Sequence, residues 1–336
     1  PPLINLINGL ALLSIPDLKI PDHNLVLASR KMDPSDRRNA FANLLLTRLN
    51  PNPKIIIDRA RIATLMLSVG FGLFIFLWAK KIYGPFAGLL ALFLYCLDPN
   101  IMAHADLVTN DLGSALFICL ALYFLFKLWE EPKALNLALA TIFLGLAQLS
   151  KFSAILLYPL FVIIWLLLFL RLKKEQPGLG WLSIKRPDFF LNLWALILIL
   201  IGSLIVIWAG YGFQTSPHWN FQPLMQAEIC NLTQLSAQIK CNLIGLLSII
   251  PIPPRTFYYG LARTLILTEQ HENALYFMGK AGGQGWWYYY PILFLIKTPL
   301  PLLALLGLRL FGRKKIRDGS AEFTEAENFN TRLILI

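Results

Sequence analysis

The sequence predicts an all-α, polytopic transmembrane helical bundle with interfacial amphipathic helices and one large outer loop, and three observations predict it. Of the 336 residues, 57% are hydrophobic and only 15% charged, where a soluble domain of this length carries roughly a quarter charged residues. Apolar runs of about 17 to 25 residues recur, each long enough to cross the hydrocarbon core of a bilayer as a helix. Those runs do not alternate in hydrophobicity, which excludes the strands of a membrane β-barrel.

Residues 1–58 contain amphipathic pieces such as "PPLINLINGLALL" and "NAFANLLLTRL". These are too short or too charged to span and are expected to lie along the interface. Seven spanning helices are expected near 60–79, 84–98, 111–128, 134–150, 152–170, 189–211 and 288–310. Lys and Arg gather in "AKKIYG", "KLWEEPK", "RLKKEQ" through "SIKRPD", and "RLFGRKKIR", which fall on alternate sides of successive spans. Cytoplasmic loops collect these cations, so the loop around 99–110, the break "QLSKFS" and the segment 212–287 are assigned to the outer side. Five segments result: an outer-face amphipathic stretch, 1–58; about six spans, 59–211; a large extracytoplasmic loop, mostly helical, 212–287; another span, 288–310; and a cytoplasmic loop leading into a further segment, 311–336. The chain opens on Pro1 and ends in "NFNTRLILI", and we expect a piece truncated at its start, with a final apolar run cut short. The formal net charge of +11 lies in residues that flank apolar runs. It is therefore topogenic and predicts membrane lipids, not nucleic acid, as partners.

The chemistry-bearing residues concentrate on the side assigned as outer. "HADLVTND" places His104, Asp106 and Asp111 in a short gap between two apolar runs. Asp111 can be a first-turn acid favoured by the helix dipole, with Thr109 as its cap, or a carboxylate held at the membrane surface for chemistry. Lys151 stands alone in "LAQLSKFSAILL", Arg59 and Arg61 open the first span, and Lys297 lies inside "YYYPILFLIKTPLPLL". Cations on the outer side oppose the topology rule. They either snorkel to headgroups or bind an anion such as a phosphate; an ionisable residue within a span is a functional candidate by default. Glu269, His271 and Glu272 fit a metal site, an acid/base group or an ordinary solvated turn, while "WWYYY" fits an interfacial aromatic belt. Cys96 and Cys119 lie in spans, as packing residues. Cys230 and Cys241, eleven positions apart in the outer loop, form a disulfide candidate in an oxidising compartment. Asn231 heads an N-x-T triplet that chance explains better than glycosylation. "GKAGGQG" lacks the preceding strand and the Lys-Ser/Thr pair of a phosphate loop. Together these features suggest action on a lipid-linked phosphorylated substrate, with a carboxylate as general base toward a hydroxyl and cations stabilising a phosphate leaving group.

The order of segments resembles the lipid-carrier-dependent glycosyltransferases of the GT-C type, which include the protein O-mannosyltransferases and the enzymes that add aminoarabinose to lipid A. "PPL" looks like the end of that family's "HPPL" segment. "DRARIATLMLSVGFGLFIFLWAKKIYG" is similar to its Arg-containing second span, and "DPNIMAHADLVTNDLGSALF" resembles its "P…AH…LVTTD" stretch. "LGLAQLSKFSAILLYPL" resembles "GLA-LTKFSALLL-PL", and "GQGWWYYYPILFLIKTPLPLL" resembles "GWWYYFP…KTP". The resemblance covers nearly all of residues 1–310. It implies transfer of a sugar, mannose or related, from a polyprenyl-phosphate carrier to a hydroxyl on a protein or lipid acceptor, with inversion. It also implies an integral, multi-pass protein: a bacterial plasma membrane with the site facing outward, or an endoplasmic reticulum membrane with a lumenal site. By motif, Asp111 matches the acid of the second outer loop and His104 the His of the "AH" pair. Arg61, Lys151 and Lys297 match basic positions suited to the carrier phosphate, and His271 matches a His of the large loop. The family's general base precedes "HPPL" and so would lie upstream of Pro1. A transporter or flippase of lipid-linked sugars and a non-catalytic membrane relative are the alternatives. Transporters tend to show internal repeats and midplane polar residues, and neither is visible. No cofactor is assigned, a divalent metal is left open, and the sugar and acceptor are not legible.

Overall fold

A computed structural model describes residues 2–22, 34–173, 189–214, 253–267, 275–282 and 286–317. Its helices follow the apolar runs. In chain order they are α1 (Leu3–Leu12), α2 (Pro34–Asn43, continued by a π-helical turn Leu44–Arg48), α3 (Pro53–Tyr83), α4 (Pro85–Cys96), α5 (Pro99–Ala105), α6 (Asp111–Glu130), α7 (Ala134–Ser150), α8 (Leu157–Lys173, preceded by a 3-10 turn Phe152–Leu156), α9 (Phe189–Gly210), α10 (Arg255–Leu267), α11 (Tyr289–Lys297) and α12 (Leu300–Arg317). A two-stranded antiparallel hairpin, β1 (Leu275–Phe277) and β2 (Lys280–Gly282), separates α10 from α11.

Among the described residues four helices are long and apolar enough to cross a membrane: Pro53–Tyr83, Asp111–Glu130, Phe152–Leu170 and Leu193–Gly210. Helix α7, at 17 residues, is slightly shorter. Two of the expected spans are not straight. The run near 84–98 gives only the 12 residues of α4, about 18 Å of helix, and then bends by 66° into α5. The run near 288–310 bends by 109° between α11 and α12. Both bends precede a proline. Proline lacks an N–H and clashes with a helical residue before it, and Asp98 and Thr298 accordingly take extended backbone ahead of Pro99 and Pro299. The dipeptides "DP" and "TP" carried this information, but the length of the apolar runs hid it.

The core lies where α6, α7, α8 and α9 meet. Ala121, Ala140, Leu144, Ala147, Phe161 and Ile199 are fully buried there. In a bilayer, lipid tails are as apolar as side chains, so small residues that let helices approach closely decide the packing. A methyl group on Gly145 would come within 2.5 Å of Val206, and one on Gly202 within 2.6 Å of Thr141. Those two glycines set the crossing of α7 and α9. Helix α1 does more than lie along a surface. Ile4 and Asn8 are buried, Thr64 Oγ1 donates to Asn8 Oδ1 at 3.2 Å, and the end of the Ile4 side chain sits so close to Gly113 of α6 that a Cβ there would displace it.

Connections at the two ends orient the bundle. Arg61, near the start of α3, reaches Asp106 just before α6. Lys81, at the end of α3, reaches Glu130 at the end of α6. Helices α3 and α6 therefore run parallel, α7 returns, and the α7–α8 break lies beside the start of α6. In the long segment 212–287, the described residues include the hairpin as well as helix. Met278 and Gly279 make its turn at positive φ. A strand, β1, does precede "GKAGGQG", contrary to the expectation, but Gly279 is the hairpin turn and Lys280–Gly282 return as β2 instead of leading into a helix, which still argues against a phosphate loop.

Candidate active site

The start of α6 gathers the candidate residues. Asp111 is the first residue of the helix, where unpaired backbone N–H groups and the helix dipole favour a negative charge. Lys151 occupies the break between α7 and the 3-10 turn, in extended backbone (φ −152°, ψ 132°). Its Nζ donates to Asp111 Oδ1 at 2.6 Å. His104 Nδ1 lies 3.7 Å from Asp111 Oδ2 and 3.4 Å from Thr109 Oγ1. Thus the hydroxyl of Thr109 addresses His104, and it does not cap α6. The N-cap residue is Asn110, with no side-chain capping bond; its carbonyl, like that of Asp111, accepts from Ser114 Oγ. The acid, the cation and the histidine are each partly open to the surroundings, with side chains 45%, 47% and 40% exposed.

A second pair lies alongside. Arg61 is 3.7 Å from Asp106 Oδ2, and the Asp106 side chain is 74% exposed. At this distance and exposure the pair contributes at most about 1 kcal/mol, so the guanidinium exchanges partners at little cost. Asp98 caps α5 by accepting from the N–H groups of Asn100 (2.8 Å) and Ile101 (3.1 Å). Asn100 Nδ2 in turn donates 2.9 Å to the carbonyl of Lys297. That bond ties the α11–α12 elbow to α5, the helix that carries His104. Lys297 itself is exposed at the elbow and makes no ion pair among the described residues, as does Arg59 at the start of α3.

The structure thus unites Asp111, Lys151 and His104, sets Arg61 on Asp106 next to them, and links the backbone of Lys297 to the same end of the bundle. The candidates Glu269 and His271, with Glu272, and the cysteines Cys230 and Cys241 lie outside the described residues, as does Asn231. Cys96 and Cys119 are free thiols, Cys96 exposed at the end of α4. Among the described residues no group of three His, Cys, Asp or Glu side chains is arranged to hold a metal ion. Asp98, Asn100 and Gln148 had no place in the sequence-based site. A signal existed only for Asp98, an Asp before a Pro at the first helical position.

Residues 56–208 match the family model described as dolichyl-phosphate-mannose-protein mannosyltransferase. The matched stretch takes in Arg61, the "HADLVTND" gap, Asp111 and Lys151, and is somewhat under half of the 336-residue chain. Over these helices the chain is similar to that family. The match supports a membrane mannosyltransferase-like glycosyltransferase in general terms. No curated protein and no solved structure matches the chain.

Proposed function

We propose that this chain is a membrane glycosyltransferase that moves a sugar, mannose or a close relative, from a polyprenyl-phosphate carrier to a hydroxyl acceptor on the extracytoplasmic face, with inversion at the anomeric carbon. One observation carries the reading: the helices that match the mannosyltransferase family model are the ones whose shared end holds the Asp111–Lys151 pair with His104, Arg61 and Asp106 around it.

The chemistry follows from that arrangement. The acceptor hydroxyl attacks the anomeric carbon from the side opposite the phosphate. Its proton passes to a carboxylate, and the carbon–oxygen bond to the phosphate breaks with its electron pair on the leaving group. Cations at the membrane surface stabilise the charge that develops there. Arg61 is suited to this task because its bond to an exposed Asp106 is weak. Lys297 is suited because it sits at an elbow with no acidic partner among the described residues. Lys151 is already engaged by Asp111, so this pair is best placed to orient donor and acceptor. Its Asp111 carboxylate, neutralised by the ammonium, is a weaker general base than an unpaired one.

The test is turnover. The full-length protein in proteoliposomes is given radiolabelled polyprenyl-phosphate mannose, and release of the lipid phosphate is followed against a nucleotide-sugar control. Lipid phosphate released with label appearing on a hydroxyl acceptor supports the reading. Movement of intact donor between leaflets without cleavage would replace it with a transporter.

A further inference from the structure

We infer that Gln148 is a positioning residue: its buried amide fixes the α7–α8 break so that Lys151 is held on Asp111. The inference rests on the proposed glycosyl transfer only for its effect on turnover. The geometry stands apart from it.

Lys151 interrupts two helices, and a residue between helices keeps a fixed direction only if the break is over-determined. Three sets of contacts do this. Along the backbone, the Lys151 N–H donates to the Ala147 carbonyl at 3.1 Å, and the Ala154 N–H donates to the Lys151 carbonyl at 3.0 Å. Across the break, Gln148 Nε2 donates to the Ala154 carbonyl at 2.6 Å. Gln148 is 0% exposed and its Oε1 has no hydrogen-bond partner among the described residues. A polar side chain is costly in an apolar core unless it is bonded, so a half-satisfied glutamine is a poor choice for packing alone. What its one bond does is join the last turn of α7 to the 3-10 turn, with Lys151 between them. On the other side, the ring of Phe152 lies against Gly260 of α10 so closely that a Cβ there would have to displace the ring, and it packs on Phe257 with ring centroids 5.5 Å apart. The residue next to Lys151 is therefore clamped by a helix from the long segment. The Lys151 side chain, 47% exposed, gets its direction from these contacts and not from burial of its own.

The test replaces Gln148 with the near-isosteric Met, Q148M, and reads two quantities. The first is the rate at which an amine-acylating reagent modifies Lys151 in the purified protein, measured by mass spectrometry against Lys54, which is exposed at the start of α3. We expect Lys151 to be modified severalfold faster in Q148M, with Lys54 unchanged. The second is turnover with the polyprenyl-phosphate donor. Loss of one positioning hydrogen bond should lower kcat about tenfold, with a change of less than about twofold when Lys151→Gln is already present. Equal labelling of Lys151 in both proteins, or the same loss of turnover in both backgrounds, would overturn the inference and leave Gln148 as a packing residue. If Q148M does not fold, Gln148→Asn keeps the amide but shortens its reach and takes its place in both measurements. If the wild-type protein transfers no sugar, the proposed function falls, and the labelling of Lys151 still decides this inference.

Discussion

The two ends of the α3–α6 pair carry the same kinds of side chain and put them to different uses. At the end formed by the C-termini of α3 and α6, Lys81 bonds Glu130 at 3.2 Å and Lys133 bonds Glu131 at 2.7 Å. Lys81 and Lys127 also lie about 6 Å from the ring of Tyr123. These partners are neighbours in a short loop or on adjoining helix ends, and Lys81 and Lys127 sit in the last turns of α3 and α6, where helix dipoles favour a cation. At the opposite end, Asp111 is the first residue of a helix, and groups from α5 and the α7–α8 break converge on it. Arg61 on α3 meets Asp106 beside them, and the elbow bearing Lys297 is tied in through Asn100. Acids and bases alone do not distinguish a topogenic end from a candidate active site. Convergence of three segments on one carboxylate does.

The sharpest way to break the comparison is Asp111→Asn. If this end does chemistry, turnover falls by about a hundredfold or more, the scale for removing one oriented polar group from an active site. A circular-dichroism melt checks that the fold survives, and unchanged turnover would return Asp111 to a helix-start role. Lys151→Gln should follow, with a loss of about tenfold to a hundredfold. The matching change at the other end, Lys81→Gln, should stay within about twofold. Comparable losses from both would erase the contrast. Arg61→Gln should cost less, severalfold in kcat/KM for the lipid donor, because its pair with Asp106 is long and exposed. Titrating donor at two salt concentrations reads that effect, which should shrink as salt screens the charge. The smallest effect belongs to Glu131. The hydrogen bond from Lys133 holds its carboxyl below the usual glutamate range. The stability it contributes is therefore present above the ordinary glutamate pKa and fades as pH falls through the lowered one. The pair is exposed, so Glu131→Gln should move the melting temperature by less than about 2 °C at neutral pH.

Much of the candidate site was legible because charge is rare in this chain. With 15% of residues charged, a His, an Asp or a Lys between apolar runs is conspicuous. Asp111, Asp106, His104, Arg61, Lys151 and Lys297 could be singled out without knowing where they meet. Gln148 was not legible. An uncharged amide inside an apolar helix carries no signal of its own, and its partner is a backbone carbonyl six positions on. Asn100 was hidden for a related reason: its bond spans 197 positions to another carbonyl. Thr109 was read as a cap from its place before a helix, whereas in space its hydroxyl finds His104.

The sequence by itself determined the class of the molecule. Long apolar runs can satisfy their backbone groups in a bilayer only as helices or closed barrels, and their lack of alternation leaves helices. It also determined where those helices end, wherever proline or glycine marked the break. Only the tertiary structure decided the angles at which two of the runs bend, that α1 wedges against Gly113, and that the ammonium of Lys151 is on Asp111 and not merely on the same side. The physical reason is range. Hydropathy and backbone propensity act within a helix and are written residue by residue. Ion pairs, a buried amide bond and the fit of a ring on a glycine depend on distances between segments, which exist only once the helices have packed.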